Sequence, residues 1–155
     1  MRKTPLRRFR KPKSENGKKT KPQAVRYADR LWASAVAARA KLVCEHCGKP
    51  GSDAHHMKSR RSHFLRWSLC NGVFLCKACH MRFHNQEAWS LWSWFEQARP
   101  DDWRYVVENL HTLAPKDRLE TMTAALEAWQ GFASETAGAA RALVVGGKVT
   151  YAQGD

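Results

Sequence analysis

The residues with chemistry to offer are concentrated in one stretch. Two Cys-x-x-Cys pairs, Cys44/Cys47 and Cys76/Cys79, bracket a histidine doublet, His55-His56, and an asparagine, Asn71, and are followed at once by His80 and His84. Zinc takes four soft ligands in a tetrahedron, and Cys-x-x-Cys puts two thiolates on one turn so that both reach the same ion. Two such pairs, separated by enough chain to fold back, supply a complete four-thiolate structural zinc site. The alternative use of these thiols is a redox pair. Cys70 is left over and reads as a small buried apolar residue. His46, inside the first knuckle, reads as a solvent-facing spacer, with a minor alternative role as a ligand. The enclosed histidines read as a second metal centre. His80 and His84 lie four apart, on one face of a helix, and both imidazoles can reach one ion. His55 and His56 are adjacent in an extended segment, where neighbouring side chains point to opposite faces.

Order and spacing together resemble the HNH endonucleases, the ββα-metal nucleases. The residues that carry the likeness are Trp32, Cys44-Glu45-His46-Cys47-Gly48, Ala54-His55-His56-Met57, Asn71-Gly72-Val73-Phe74-Leu75-Cys76 and Cys79-His80, about a third of the chain. The resemblance implies a zinc-stapled α+β nuclease core that hydrolyses phosphodiester bonds in DNA with the help of a divalent ion. It implies that His56 is the general base, a task suited to an imidazole that titrates near neutrality. It implies that His55 and His80 hold the catalytic ion, with His84 joining them as in the nuclease domains of bacterial colicins. Asn71 matches the residue that braces the loop behind the base. Many relatives have Asp where this chain has His55. The all-histidine set is softer and favours zinc, nickel or manganese over magnesium, although any of the four could serve. Compact members of this kind resemble those encoded by bacteriophages. The rival from another class is a zinc-dependent nucleic-acid-binding protein without catalysis. RNA and branched DNA are alternative substrates within the enzyme class.

Charge supports a polyanionic partner. Of the 155 residues, 1–43 carry 14 Lys/Arg and 2 Asp/Glu, 44–85 carry 7 and 2, and 86–155 carry 6 and 10, for a net +13. A basic front and an acidic rear suit nucleic acid approached from one side; a merely solubilising tail is the alternative. Lys58, Arg60, Arg61 and Arg66 follow the doublet, where a nuclease needs phosphate contacts. His63 and His111 read as an exposed residue and a helix terminator. No secretory signal or membrane span is apparent, and cysteines in metal-type spacing suit a reducing compartment, so the expected location is cytoplasmic.

The elements that must position these residues follow from periodicity and punctuation. Residues 1–22, with ten Lys/Arg and little to bury, form a basic arm that should be disordered in isolation. Val25, Ala28, Trp32, Ala35 and Val36 recur at helical spacing, predicting an amphipathic helix over about 23–40. Short strands are expected at about 53–58 and 72–75, and a helix from Lys77 to Phe83 or Asn85, completing a nuclease core over 23–86. A helical extension over 87–131 should hold two or three helices. The first runs from Glu87 to Gln97 and is broken by Pro100, with Trp89, Trp92 and Phe95 as its core face and Trp94 off it. Asp101 or Asp102 should cap the second, and Pro115 should open the third. Residues 132–155 form an Ala/Gly-rich tail, with the outline of a hairpin around Gly146-Gly147.

Overall fold

The structure is a computed structural model that describes residues 20–85 and 88–144, with side chains as far as residue 131. It is an α+β arrangement. Helix α1 (Lys21–Arg39) precedes strand β1 (Asp53–His56), which pairs antiparallel with β2 (Gly72–Leu75). Helices α2 (Lys77–Asn85), α3 (Ala88–Ala98), α4 (Pro100–Glu108) and α5 (Arg118–Val144) follow. Most of the 1–22 arm, and most of the expected hairpin, lie outside the described residues.

The two-stranded sheet separates two hydrophobic clusters, and its alternation assigns side chains to each. Val73 and Leu75 face one side, packing with Met57, Leu65, Phe83, Leu91, Phe95 and Val106. Phe74 faces the other, against Trp32, Ala35, Val36, Trp67 and Leu126. All four residues of β2 are buried, so both faces of this strand need covering. The helices beyond residue 87 do that: α3 and α4 complete the first cluster, and α5 closes over α1 in the second. A two-stranded ribbon is marginal alone. Here it is the partition between two helical layers.

Close packing dictates small residues at one junction. A Cβ on Gly72 would lie 2.5 Å from Val36 Cγ2 and 2.8 Å from Trp32 Cζ2, so only glycine lets β2 approach α1 this closely. Charged groups lock the same junction. Arg39 donates to the carbonyls of Leu69 (2.7 Å) and Gly72 (2.7 Å), and Arg99 donates to Gly72 from the opposite side (2.7 Å). Glu45 lies between the two guanidinium groups at 3.1 Å from each and accepts the Phe74 amide at 2.9 Å. A mostly buried carboxylate is tolerable because its oxygens are so fully used.

Several element ends differ from expectation. Pro100 does not merely break α3; it is the first residue of α4, where its missing N–H costs nothing, with Arg99 as N-cap. Asp101 and Asp102 therefore lie in the first turn, favourable for the helix dipole, and Asp102 accepts from Arg99 at 2.7 Å. Pro115 begins a turn, accepting the Arg118 amide at 3.1 Å, and α5 starts three residues later. That helix continues through Gly131 to Val144, so Leu143 and Val144, assigned above to a hairpin strand, are helical.

Trp89 is 75% exposed, contrary to the expected core face. The buried stripe of α3 is Leu91 and Phe95. At about 100° per residue, Trp89 lies about 140° round the helix from the middle of that stripe. Trp94, read as off the face, flanks it instead and packs against the first cluster beside Trp92.

Candidate metal centre and general base

The four-cysteine site is assembled from two short turns. In the first, the Cys44 amide donates to Lys49 O (2.7 Å), the Gly48 amide donates to Cys44 O (2.9 Å), and Gly48 takes φ 73°. Glycine adopts that left-handed backbone without strain. In the second, Cys76 precedes α2 and Cys79 lies in its first turn, with the His80 amide donating to Cys76 O at 2.9 Å. The four sulfur atoms lie within 4.8 Å of one another, and no disulfide joins them. Cys47 Sγ and Cys76 Sγ are 3.7 Å apart. A tetrahedron with Zn–S of about 2.3 Å has an edge of about 3.8 Å, so the cluster is compatible with zinc.

His46 is not a solvent-facing spacer. It packs edge-on against Phe83 (5.0 Å between ring centroids) and Trp94 (5.6 Å), with Nδ1 3.6 Å from Cys79 Sγ. The ring thus ties the knuckle to α2 and α3. Cys70 is half-buried rather than buried. Burial, followed by a neighbouring Asp102, pushes its thiol pKa up, which keeps it protonated and unreactive.

The histidine doublet divides between the two faces of β1. His55 pairs across to Val73 and turns toward α2, where His80 and His84 project one turn apart. Their ring centroids are 4.9 Å (His55–His84), 5.3 Å (His55–His80) and 4.6 Å (His80–His84) apart, with planes inclined by 69–80°. One donor nitrogen from each lies within 4.8 Å of the others, and the Nε2 atoms of His80 and His84 are 3.1 Å apart. Three imidazoles crowded this closely are poor neighbours when protonated. Burial first, then His84 and His80, push the His55 pKa down to about 4. Neutral imidazoles are the form that binds a metal. His80 Nδ1 is buried with no hydrogen bond among the described residues, and Asp53 Oδ2 lies 3.8 Å from it. A carboxylate behind a ligating imidazole is the usual arrangement for orienting it. The donor set fits a divalent transition ion.

His56 turns the other way, toward α1. Its ring stacks on Trp32, with centroids 3.7 Å apart and planes inclined by 13°. Its Nε2 is 2.8 Å from Arg66 O. A carbonyl only accepts, so Nε2 carries the proton and Nδ1 carries the lone pair. Burial is the main influence on this ring and lowers its pKa to about 4, so it is neutral at pH 7.

The loop between the strands is held by hydrogen bonds from Asn71, Trp32 and Arg118. Asn71, fully buried, accepts the Lys58 amide on Oδ1 (2.6 Å) and donates through Nδ2 to Lys58 O (2.9 Å) and Leu65 O (3.1 Å). Trp32 Nε1 donates to Ser68 O (3.0 Å), and Arg118 reaches Phe64 O (2.7 Å) from the start of α5. Asn71 therefore braces the loop, and its side-chain hydrogen bonds go to Lys58 and Leu65.

Asp29 is the residue that sequence reasoning missed. From α1 it accepts two bonds from the Arg66 guanidinium (2.9 and 2.7 Å) and one from Trp67 Nε1 (2.9 Å). Burial alone would raise its carboxyl, but these donors hold it below the usual range. Arg66 is thus committed to an internal pair. Among the four cations expected to meet phosphate, Arg60 and Arg61 are exposed and Lys58 is half-buried. A faint signal existed: Asp29 is one of only two acids in the first 43 residues and lies three before Trp32, on the same helix face. His63 and His111 are both exposed.

The two sides of β1 meet in one cavity of about 590 Å³, lined by His55, His56, His80 and His84 together with Trp32 and Arg60. Comparison with protein-family models, curated proteins and solved structures returned no match. The functional reading therefore rests on the geometry of these residues.

Proposed function

We propose that this chain is a metal-dependent endonuclease of the HNH type that hydrolyses phosphodiester bonds in DNA, with His56 as general base. One observation carries the reading: a neutral imidazole with a defined lone pair opens into the same cavity as a cluster of three convergent imidazoles. A zinc-stapled binding module has no use for that combination.

The residues divide the work. A phosphate entering the cavity meets Arg60 on its rim. Water attacks phosphorus while His56 Nδ1 takes its proton; the bond to the leaving oxygen breaks, and that oxygen takes a proton from solvent. Trp32 and Arg66 O keep the ring from turning as its charge changes. The incoming phosphate's negative charge raises the basicity that burial has lowered, which makes the imidazole a better base once substrate is bound. An ion held by His55, His80 and His84 would supply charge stabilisation at the phosphoryl and leaving oxygens.

The test compares plasmid nicking and metal content in wild type, His56→Ala, His80→Ala and His84→Ala. Loss of the base should cost on the order of 10²- to 10⁴-fold in rate with both metals and DNA affinity retained. The two ligand variants should lose the second metal while keeping zinc. Undiminished cleavage by His56→Ala removes the assignment, and a wild type inert with every divalent ion favours the binding module.

A further inference from the structure

A second cavity, of about 290 Å³, adjoins the first and has a different character. Its walls are the first turns of α1 (Lys21, Val25), the end of the β1–β2 loop (Trp67) and the entry to α5 (Pro115, Lys116, Leu119). Apolar groups make the floor and cations the rim. Lys21 and Lys116 are exposed, and neither has an ion pair among the described residues. Of the nearby acids, Asp29 is committed to Arg66 and Trp67, while Asp117, exposed beside Lys116, accepts only from the Thr121 hydroxyl at 3.3 Å. Such a recess offers apolar surface beside Lys21, Lys116 and Arg118, which outnumber the neighbouring carboxylate of Asp117. The segment 1–19 is itself strongly basic, so charge argues against its being the occupant.

Placement identifies what could fill it. Arg66 lines this cavity and Asp29 lines the first, and their ion pair is the wall between them. Helix α1 runs past both, with Lys21 and Val25 at one and Asp29, Trp32 and Ala33 at the other. From Val25 to Asp29 is about 6 Å along the helix axis, and to Ala33 about 12 Å. At the 3.4 Å per phosphate of a stacked duplex strand the separation is about two to four nucleotides, and it is fewer where the strand is unstacked and extended.

Resting on the nuclease reading, we propose that this second cavity receives a nucleotide of the DNA strand flanking the cut, within about four positions of the scissile phosphate. Its phosphate lies on Lys21 and Lys116, and its base enters against Val25, Pro115 and Leu119. A base must leave its stack to do so, at least cost where the strand is already unpaired. The cavity therefore makes the protein favour DNA with a single-stranded flank over continuous duplex.

The test uses the full chain with zinc in place but no added catalytic ion, and fluorescently labelled DNA of two kinds, a blunt duplex and the same duplex with an unpaired tail. Wild type should bind the tailed form more tightly. Lys21→Ala/Lys116→Ala should abolish that preference and lower the salt slope on tailed DNA by about 0.7 per lost contact. Crosslinking with 5-iodouracil placed in turn along the tail should label residues 63–67 or 114–119 from a narrow set of positions. Equal affinity for both DNAs, an unchanged slope in the double variant, or crosslinks that avoid those segments would overturn the proposal. These readouts need no cleavage. A wild type that never cuts would sink the nuclease reading while the slope and crosslinks still judged the cavity.

Discussion

The doublet shows how much can depend on which way a side chain points. His55 and His56 share a backbone environment and a cavity, yet one joins a ligand cluster and the other is held as a lone imidazole. The working form of a base is neutral. With the His56 pKa lowered to about 4 chiefly by burial, that form is complete above about pH 5 and is lost only as pH falls through 4. A profile of kcat/KM at saturating ion, which reports the free enzyme, should stay flat from pH 7 to pH 5. An acid limb centred at 6.5 would show a solvated ring. Asp29 holds Arg66, whose carbonyl sets the tautomer of His56, the proposed base. Asp29→Ala should lower kcat about 10- to 100-fold, the scale of small misplacements near a reacting centre. Its signature is a fall in kcat with metal content unchanged, which general loss of stability would not produce.

At the scale of elements, the sheet transmits every requirement. Cys76 follows β2 and leads into α2, so the four-cysteine site ties the helix that carries His80 and His84 to the strand that pairs with His55. Metal binding at such a site is coupled to folding. Cys76→Ala should lose zinc, helical circular dichroism and activity together; a folded, active variant would show the site to be dispensable. Gly72→Ala probes the other face. Its methyl would meet Val36 and Trp32, and overpacking of this kind costs about 1–3 kcal/mol. Because Trp32 stacks on His56, the expected loss of activity should exceed the loss of bound metal.

Across the whole molecule, charge and architecture are divided. The basic residues of the arm lie ahead of α1, whose first turns also line the second cavity. Deleting residues 1–19, which leaves Thr20 and its bond to Gln23 intact, should weaken DNA binding chiefly at low ionic strength. The salt slope should drop by about 0.9 for each duplex phosphate contact removed. Binding with an unaltered slope would mean that the arm is not an electrostatic clamp. No helix among the described residues is long and apolar enough to cross a membrane.

Some of this was legible in the sequence because it depends on local spacing. Two thiolates on one turn, two imidazoles four apart on a helix, and two neighbours on opposite faces of a strand are consequences of backbone geometry alone. That geometry sets each cysteine pair and the His80–His84 pair, whereas the meeting of the two cysteine turns, and of His55 with α2, needs β1 to pair with β2. The tertiary structure decided what depends on residues far apart. Asp29 captures Arg66 across 37 positions, and Arg99 reaches Glu45 across 54. His46 gains Phe83 and Trp94 as neighbours, while Trp89 is left in solvent because α3 turns Leu91 and Phe95 inward. Periodicity defines a stripe on a helix. Which part of that stripe is buried depends on the neighbour that covers it, and that neighbour is chosen only when the chain closes on itself.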